Sequence, residues 1–155
     1  MKHLFFLLCS LLATTLTSCE EVEQSRVPSL RVSLNANIEH RSELHGLKVP
    51  GGTAQVTKRF NEAPFIGFGG LLIIRGYTYD NEVYCFDLSC PIECKTDVCI
   101  EAKDELTWAC PKCGSTYTNL LYGNPMATSG PAKEKGYRLR TYASSLTYPL
   151  LQINN

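Results

Sequence analysis

Cys110-Pro111-Lys112-Cys113-Gly114 follows Cys90-Pro91-Ile92-Glu93-Cys94 by twenty residues, and this pair of stretches decides how the chain is read. Two cysteine-bearing loops at that separation let a small β protein grip one metal centre from two sides. A Cys-x-x-Cys-Gly turn points successive amides and both sulfurs inward, and its glycine takes a backbone conformation costly for other residues. The loops are a strong signal for a site and a weak one for its occupant.

Around the loops the chain is punctuated into short strands. Residues 30–36 alternate apolar and polar, as a half-buried strand does. Residues 38–52 are polar and end in the turn Pro50-Gly51-Gly52. Residues 53–57 form a short strand, and Leu71-Leu72-Ile73-Ile74 is a continuous apolar run after Gly67-Phe68-Gly69-Gly70, which predicts a buried strand. Tyr79-Asp80-Asn81 turns the chain into a strand over 82–87. Residues 106–109 lead into the second loop and 116–118 lead out, while 137–142 and 148–153 supply the closing strands. Sustained helical periodicity and internal repeats are both missing. Short strands separated by Gly, Pro and Asn turns predict an all-β sandwich or barrel.

The chain's start reads as a targeting segment. Lys2 and His3 precede an apolar run over 4–16 that is too short for a permanent transmembrane helix, so residues 1–18 read as a secretory leader. Leu16-Thr17-Ser18-Cys19 resembles the lipobox of bacterial lipoproteins, in which the cysteine is acylated and becomes the mature N-terminus. That predicts a cell-envelope protein, periplasmic or surface-exposed, held to a membrane through lipidated Cys19. Each buried methylene of such an anchor contributes about 0.8 kcal/mol. Residues 19–29, acidic at the start, read as a tether, and 30–155 as one domain. Formal net charge is zero, which argues against a nucleic-acid partner.

Of eight cysteines, removal of Cys9 and lipidation of Cys19 leave Cys85, Cys90, Cys94, Cys99, Cys110 and Cys113. In an exported protein six cysteines can form disulfides. Their crowding into one short segment argues against a simple set of staples, which tie distant parts of a chain.

The order of parts resembles the Rieske-type iron–sulfur domain. The matching residues are Phe86-Asp87, Cys90-Pro91, Cys110-Pro111-Lys112-Cys113-Gly114-Ser115-Thr116-Tyr117 and Ser129-Gly130-Pro131-Ala132. The resemblance spans roughly 71–142. It implies an antiparallel β sandwich or barrel carrying a small inserted two-loop cysteine subdomain, rubredoxin- or zinc-ribbon-like, over about 88–119. It also implies a [2Fe–2S] centre and an electron-transfer role beside an envelope partner. The ligands depart from that pattern. A Rieske centre holds one iron by two cysteines and the other by two histidines. Here the first histidine position is Ile92, which cannot coordinate, and the second is Cys113. His40 and His45 lie outside the loops and read as surface residues.

Cys90, Cys110 and Cys113 remain as sulfur donors, with the fourth ligand expected from Cys94 or alternatively Cys99. Cys94 is preferred because its short gap from Cys90 suits a tight metal loop. Cys85, between Tyr84 and Phe86, reads as a buried small apolar residue. The leader contains no arginine, which points to export as an unfolded chain and a centre filled afterwards. Zinc suits that route and a set of thiolates. The alternatives are the [2Fe–2S] or single-iron centre, and an empty site closed by disulfides. Enzymatic readings are thin. Cys110-x-x-Cys113 lies between strands, not at the helix N-terminus that activates thiol–disulfide exchangers. Gly67-x-Gly69-Gly70 precedes a strand and so lacks the nucleotide-binding context.

Overall fold

The computed structural model describes residues 25–77 and 81–155. The 1–18 leader, Cys19, the acidic stretch 20–24 and the turn residues Tyr79 and Asp80 lie outside the described residues. Among the described residues ten strands form: β1 (Val32–Asn37), β2 (Thr53–Val56), β3 (Phe65–Ile66), β4 (Leu71–Arg75), β5 (Val83–Asp87), β6 (Glu101–Ala102), β7 (Trp108–Ala109), β8 (Thr116–Tyr117), β9 (Thr141–Thr147) and β10 (Leu150–Asn154). The fold is all-β, as the turn-punctuated pattern predicts.

Seven strands pair in the order β2-β4-β5-β9-β10-β1-β3, and β6-β7-β8 make a separate small sheet. Every pairing is antiparallel. Strand β9 joins the two halves of the large sheet. Its start pairs with β5 at Tyr142↔Cys85, and the remainder pairs with β10 from Ala143↔Asn154 to Thr147↔Leu150. The large sheet thereby folds back on itself around one core.

The run at Leu71 is apolar throughout because β4 is buried on both faces. Successive side chains of a strand point to opposite sides. Leu71 and Ile73 accordingly join Leu34, Val56, Leu146 and Leu151 in the core of the large sheet. Leu72 and Ile74 join Phe86, Leu88, Ile100 and Trp108 on the other side, together with Cys90 and Cys110. Cys85 belongs to the first group and is buried at the opposite face from the loop cysteines. Its position agrees with a packing role.

Several stretches differ from the sequence reading. Residues 38–52 contribute core: Ile38, Leu44 and Leu47 are fully buried. A 3₁₀ helix over Ser42–Lys48 accounts for the last two, because residues three apart eclipse in that helix and share a face. The closing strands lie at 141–147 and 150–154 instead of 137–142 and 148–153. Pro149 has no N–H to give a ladder and sits with Tyr148 in the turn between them. Val27, inside the expected tether, is also fully buried, and Arg140 donates to its carbonyl at 2.9 Å.

Asp87, at the end of β5, is fully buried. Its carboxylate accepts from the amides of Phe68 (2.8 Å), Gly69 (2.9 Å) and Ser89 (2.9 Å) and from the Tyr142 hydroxyl (2.7 Å). A buried charge persists only when its lone pairs are met in this way. Tyr142→Phe removes one charge-assisted bond and leaves the three amides in place. Urea unfolding of that variant should show a loss of about 1.5–3 kcal/mol with an unchanged m-value.

Candidate metal centre

The two cysteine loops are built alike. In the first, the Cys94 amide donates to the Cys90 carbonyl at 2.8 Å; in the second, the Gly114 amide donates to the Cys110 carbonyl at 3.0 Å. Each turn is tight, and each closes on a residue with positive φ, +50° at Cys94 and +73° at Gly114. The Ile92 and Glu93 amides bond to the Cys90 sulfur, and the Ser115 amide bonds to the Cys113 sulfur.

Each loop is anchored to the sheets. Ser89, next to Cys90, is held by Asp87, and the Cys90 amide donates to Val98 at 3.0 Å. Strand β7 delivers Cys110, whose amide donates to the Ser115 carbonyl at 2.9 Å as the chain turns into β8. Behind the second loop, the short helix α1 (Pro131–Glu134) follows Gly130, and the Ala132 amide donates to Ser115 Oγ at 3.0 Å. Gly130 has φ +77°, and a side chain there would meet the Ser115 backbone at 2.9 Å, so glycine is required.

The outcome is a cluster of three sulfurs. Cys90, Cys110 and Cys113 bring their Sγ atoms within 4.8 Å of one another, with Cys90 and Cys113 at 3.5 Å. A tetrahedral ion about 2.3 Å from each sulfur sets sulfur–sulfur separations of about 3.8 Å. A disulfide bond is about 2.05 Å long, and all six described cysteines are free thiols. Three close cysteines of this kind can bind a metal.

The other candidates point elsewhere. Cys94 donates through its thiol to the Arg26 carbonyl at 3.2 Å, and Cys99 to the Gly69 carbonyl at 3.5 Å. Ile92 packs against the apolar cluster beside the site. His40 and His45 are exposed, His45 bonding the Glu39 carbonyl at 3.1 Å.

Electrostatics divides the three thiols. Burial raises the Cys90 pKa to about 12, against the opposing pull of the Glu93 and Ile92 amides. Burial also acts to raise Cys113, but hydrogen bonds from the Ser115 hydroxyl and amide and from the neighbouring thiols outweigh it. Cys113 therefore lies below the ordinary thiol value. Ser115 Oγ accepts from the Ala132 amide and from the Cys113 thiol, 3.2 Å away, and once that sulfur is a thiolate the serine proton can turn to it.

Tyr117 packs in the same buried cluster as Cys90 and Cys110. Its side chain is fully buried and its hydroxyl has no hydrogen-bond partner. Burial, then the charges of Cys90, Cys113 and Cys110, push its ionisation up. A buried hydroxyl without an acceptor costs about 1–3 kcal/mol. The donor set of three thiols fits a soft metal ion. The sequence placed Ser115 beside the cysteines but gave no sign of its role, which depends on the turn into β8.

No family model, curated protein or solved structure matches the chain.

The Cys90 shift carries a pH consequence for the reduced, metal-free protein. The folded thiol keeps its proton to about 12, whereas the unfolded one loses it near 9.0. The unfolded state binds fewer protons in that window, so stability present below pH 9 declines as the pH climbs towards 12. Buried Cys85, also raised, acts in the same sense. Thermal unfolding across this range should show a falling Tm, and Cys90→Ala should remove part of the slope.

Proposed function

We propose that this chain is a lipid-anchored envelope protein whose Rieske-like domain serves as a binding or structural module, its cysteine loops held by one thiolate-bound metal ion, zinc. The convergence of Cys90, Cys110 and Cys113 from two separate loops is the observation that carries this reading. Mutual closeness of all three sulfurs favours a single ion over a two-iron cluster, which spreads its ligands over two metals. Soft sulfur donors select zinc or iron among the available ions. An arginine-free leader supports filling after export, where zinc is the simpler ion to acquire. When bound, zinc supplies a structural cross-link between the loops. The residues of the chain support the thiolates that would hold it: Ser115 at Cys113, and the Ile92 and Glu93 amides at Cys90.

A second reading is an electron-transfer module with an all-sulfur iron centre. The loop motifs and the order of strands around them support it, through their resemblance to Rieske-type domains. Protein purified anaerobically separates the two readings. Colourless protein with one zinc per chain supports the first, and coloured protein with iron and a paramagnetic reduced state supports the second.

Cys110→Ser should collapse metal content and free both loops at once, because the site is shared between them. The accompanying stability loss should be about 2–5 kcal/mol, comparable with removing a native disulfide. Cys85→Ala should leave metal content unchanged. If wild type and Cys110→Ser are equally metal-free when reduced, the metal reading falls.

Membrane attachment has its own test. Cys19→Ala should move the protein from the membrane fraction to the soluble envelope fraction. A variant that still sediments with membranes would remove the lipid anchor.

A further inference from the structure

The likeness of the two loops assigns a counterpart to every residue. Cys90 corresponds to Cys110, Pro91 to Pro111, Ile92 to Lys112, Glu93 to Cys113 and Cys94 to Gly114. The basis is geometric: the fifth amide bonds the first carbonyl in both loops, and the fifth residue has positive φ in both. Cys94 thus occupies the glycine position. A Cβ built at Gly114 meets nothing within 4 Å beyond its two chain neighbours, so a side chain at this position of the turn stands clear of Cys90 and Cys110. The Cys94 thiol does so, reaching the Arg26 carbonyl. The residue whose Cα–Cβ bond corresponds to that of Cys113 is Glu93.

Glu93 is well placed in chemistry as well as position. Its side chain is only 16% exposed, and one carboxylate oxygen, Oε2, pairs with Lys112 Nζ of the opposite loop at 2.7 Å. The side chain therefore already spans from one loop tip to the other. The carboxylate stands outside the three-sulfur group, and a rotation about its own side-chain bonds is what would turn Oε1 towards the sulfurs. Carboxylate oxygen is an accepted zinc ligand beside thiolates.

We propose that Glu93 is the fourth ligand of the centre, with Lys112 retaining the other carboxylate oxygen as a positioning residue. The assignment rests on the metal reading above and replaces Cys94 and Cys99 in that role. Three thiolates and a carboxylate around a divalent ion leave two negative charges, and the Lys112 ammonium offsets one. A carboxylate with an alternative partner at hand also leaves the metal more readily than a thiolate. The centre is accordingly exchangeable at one position and fixed at three.

Full-length protein, reduced and stripped of metal, can be titrated with cobalt(II), whose sulfur charge-transfer intensity counts thiolate ligands. Wild type should show three. Glu93→Gln should keep three but weaken zinc binding by at least about tenfold in competition with a chelator, the loss seen even for residues that only support a ligand. Glu93→Cys should add a fourth thiolate to the cobalt spectrum and slow zinc transfer to the chelator. This gain cannot arise from misfolding. Cys94→Ser and Cys99→Ser should match wild type in both measurements. A four-thiolate wild-type spectrum that drops to three in Cys94→Ser or Cys99→Ser overturns the proposal, as does Glu93→Gln with wild-type affinity. Wild type that takes up neither cobalt nor zinc defeats the metal reading itself, and the proposal with it.

Discussion

The buried carboxylate of Asp87 is the constraint on which the molecule is assembled. It sits where β5 ends and accepts four hydrogen bonds from three different parts of the chain. Tyr142 brings β9, and hence the other half of the large sheet. Phe68 and Gly69 bring the turn that enters β4. Ser89 brings the first residue of the cysteine loop, one position before Cys90. Each bond removes a freedom that the chain otherwise has at a strand end. Without the carboxylate the buried Ser89 amide would lie unpaired, a cost of about 1–3 kcal/mol, and the part-buried Phe68 and Gly69 amides would lose their acceptor as well. The site and the fold are thus fixed by the same group.

From that anchor, the two apolar clusters define two mechanical units that share β4 and β5. One is the core of the large sheet. The other consists of the outer face of β4 and β5 with the cysteine loops and the small sheet. Strands β6, β7 and β8 have two residues each, too few to stand as a sheet in water. They depend on Trp108, Tyr117 and Ile100 packing against Leu72, Ile74 and Phe86, and on whatever holds Cys90 near Cys110.

Much of this is legible in the residues themselves. The apolar run at 71–74 announces a strand buried on both sides, and the Gly and Pro turns delimit most of the others. Cys90, Cys110 and Cys113 are recognisable as a site from spacing and motif. Other features follow from three-dimensional facts that the one-dimensional pattern hides. Leu44 and Leu47 are three apart, a period that belongs to a 3₁₀ helix and is lost in a polar stretch. Ser144 and Ser145 look like loop residues, yet β9 carries them through the sheet because Tyr142 and Leu146 on either side face the core. Cys94 is nearest to Cys90 among the candidate partners, so sequence proximity favours it as a ligand. Its thiol bonds the carbonyl of Arg26, a residue distant in sequence, from a backbone with positive φ, and neither fact is visible in the spacing.

The placement of the thiols also explains why a metal would matter more to this domain than a comparable amount of apolar packing. Cys90 and Cys110 are buried within the small cluster, where an uncharged thiol acts as a modest apolar filler. In that state Cys90 resists ionisation, and the polar contacts between the loops are a weak sulfur contact and the Glu93–Lys112 pair. Occupation by a cation would reverse both terms together, stabilising the thiolates and tying both loops to one point. The gain is concentrated in the small sheet, whereas the core around Leu34, Ile73 and Leu151 is sealed on the far side of β4. Loss of the ion should therefore open residues 88–119 locally while the large sheet persists, the behaviour of a unit whose local stability lies below that of the whole. Amide exchange that quickens in the small sheet and leaves β1, β9 and β10 protected would establish this, and uniform quickening across all strands would show instead that the two units unfold as one.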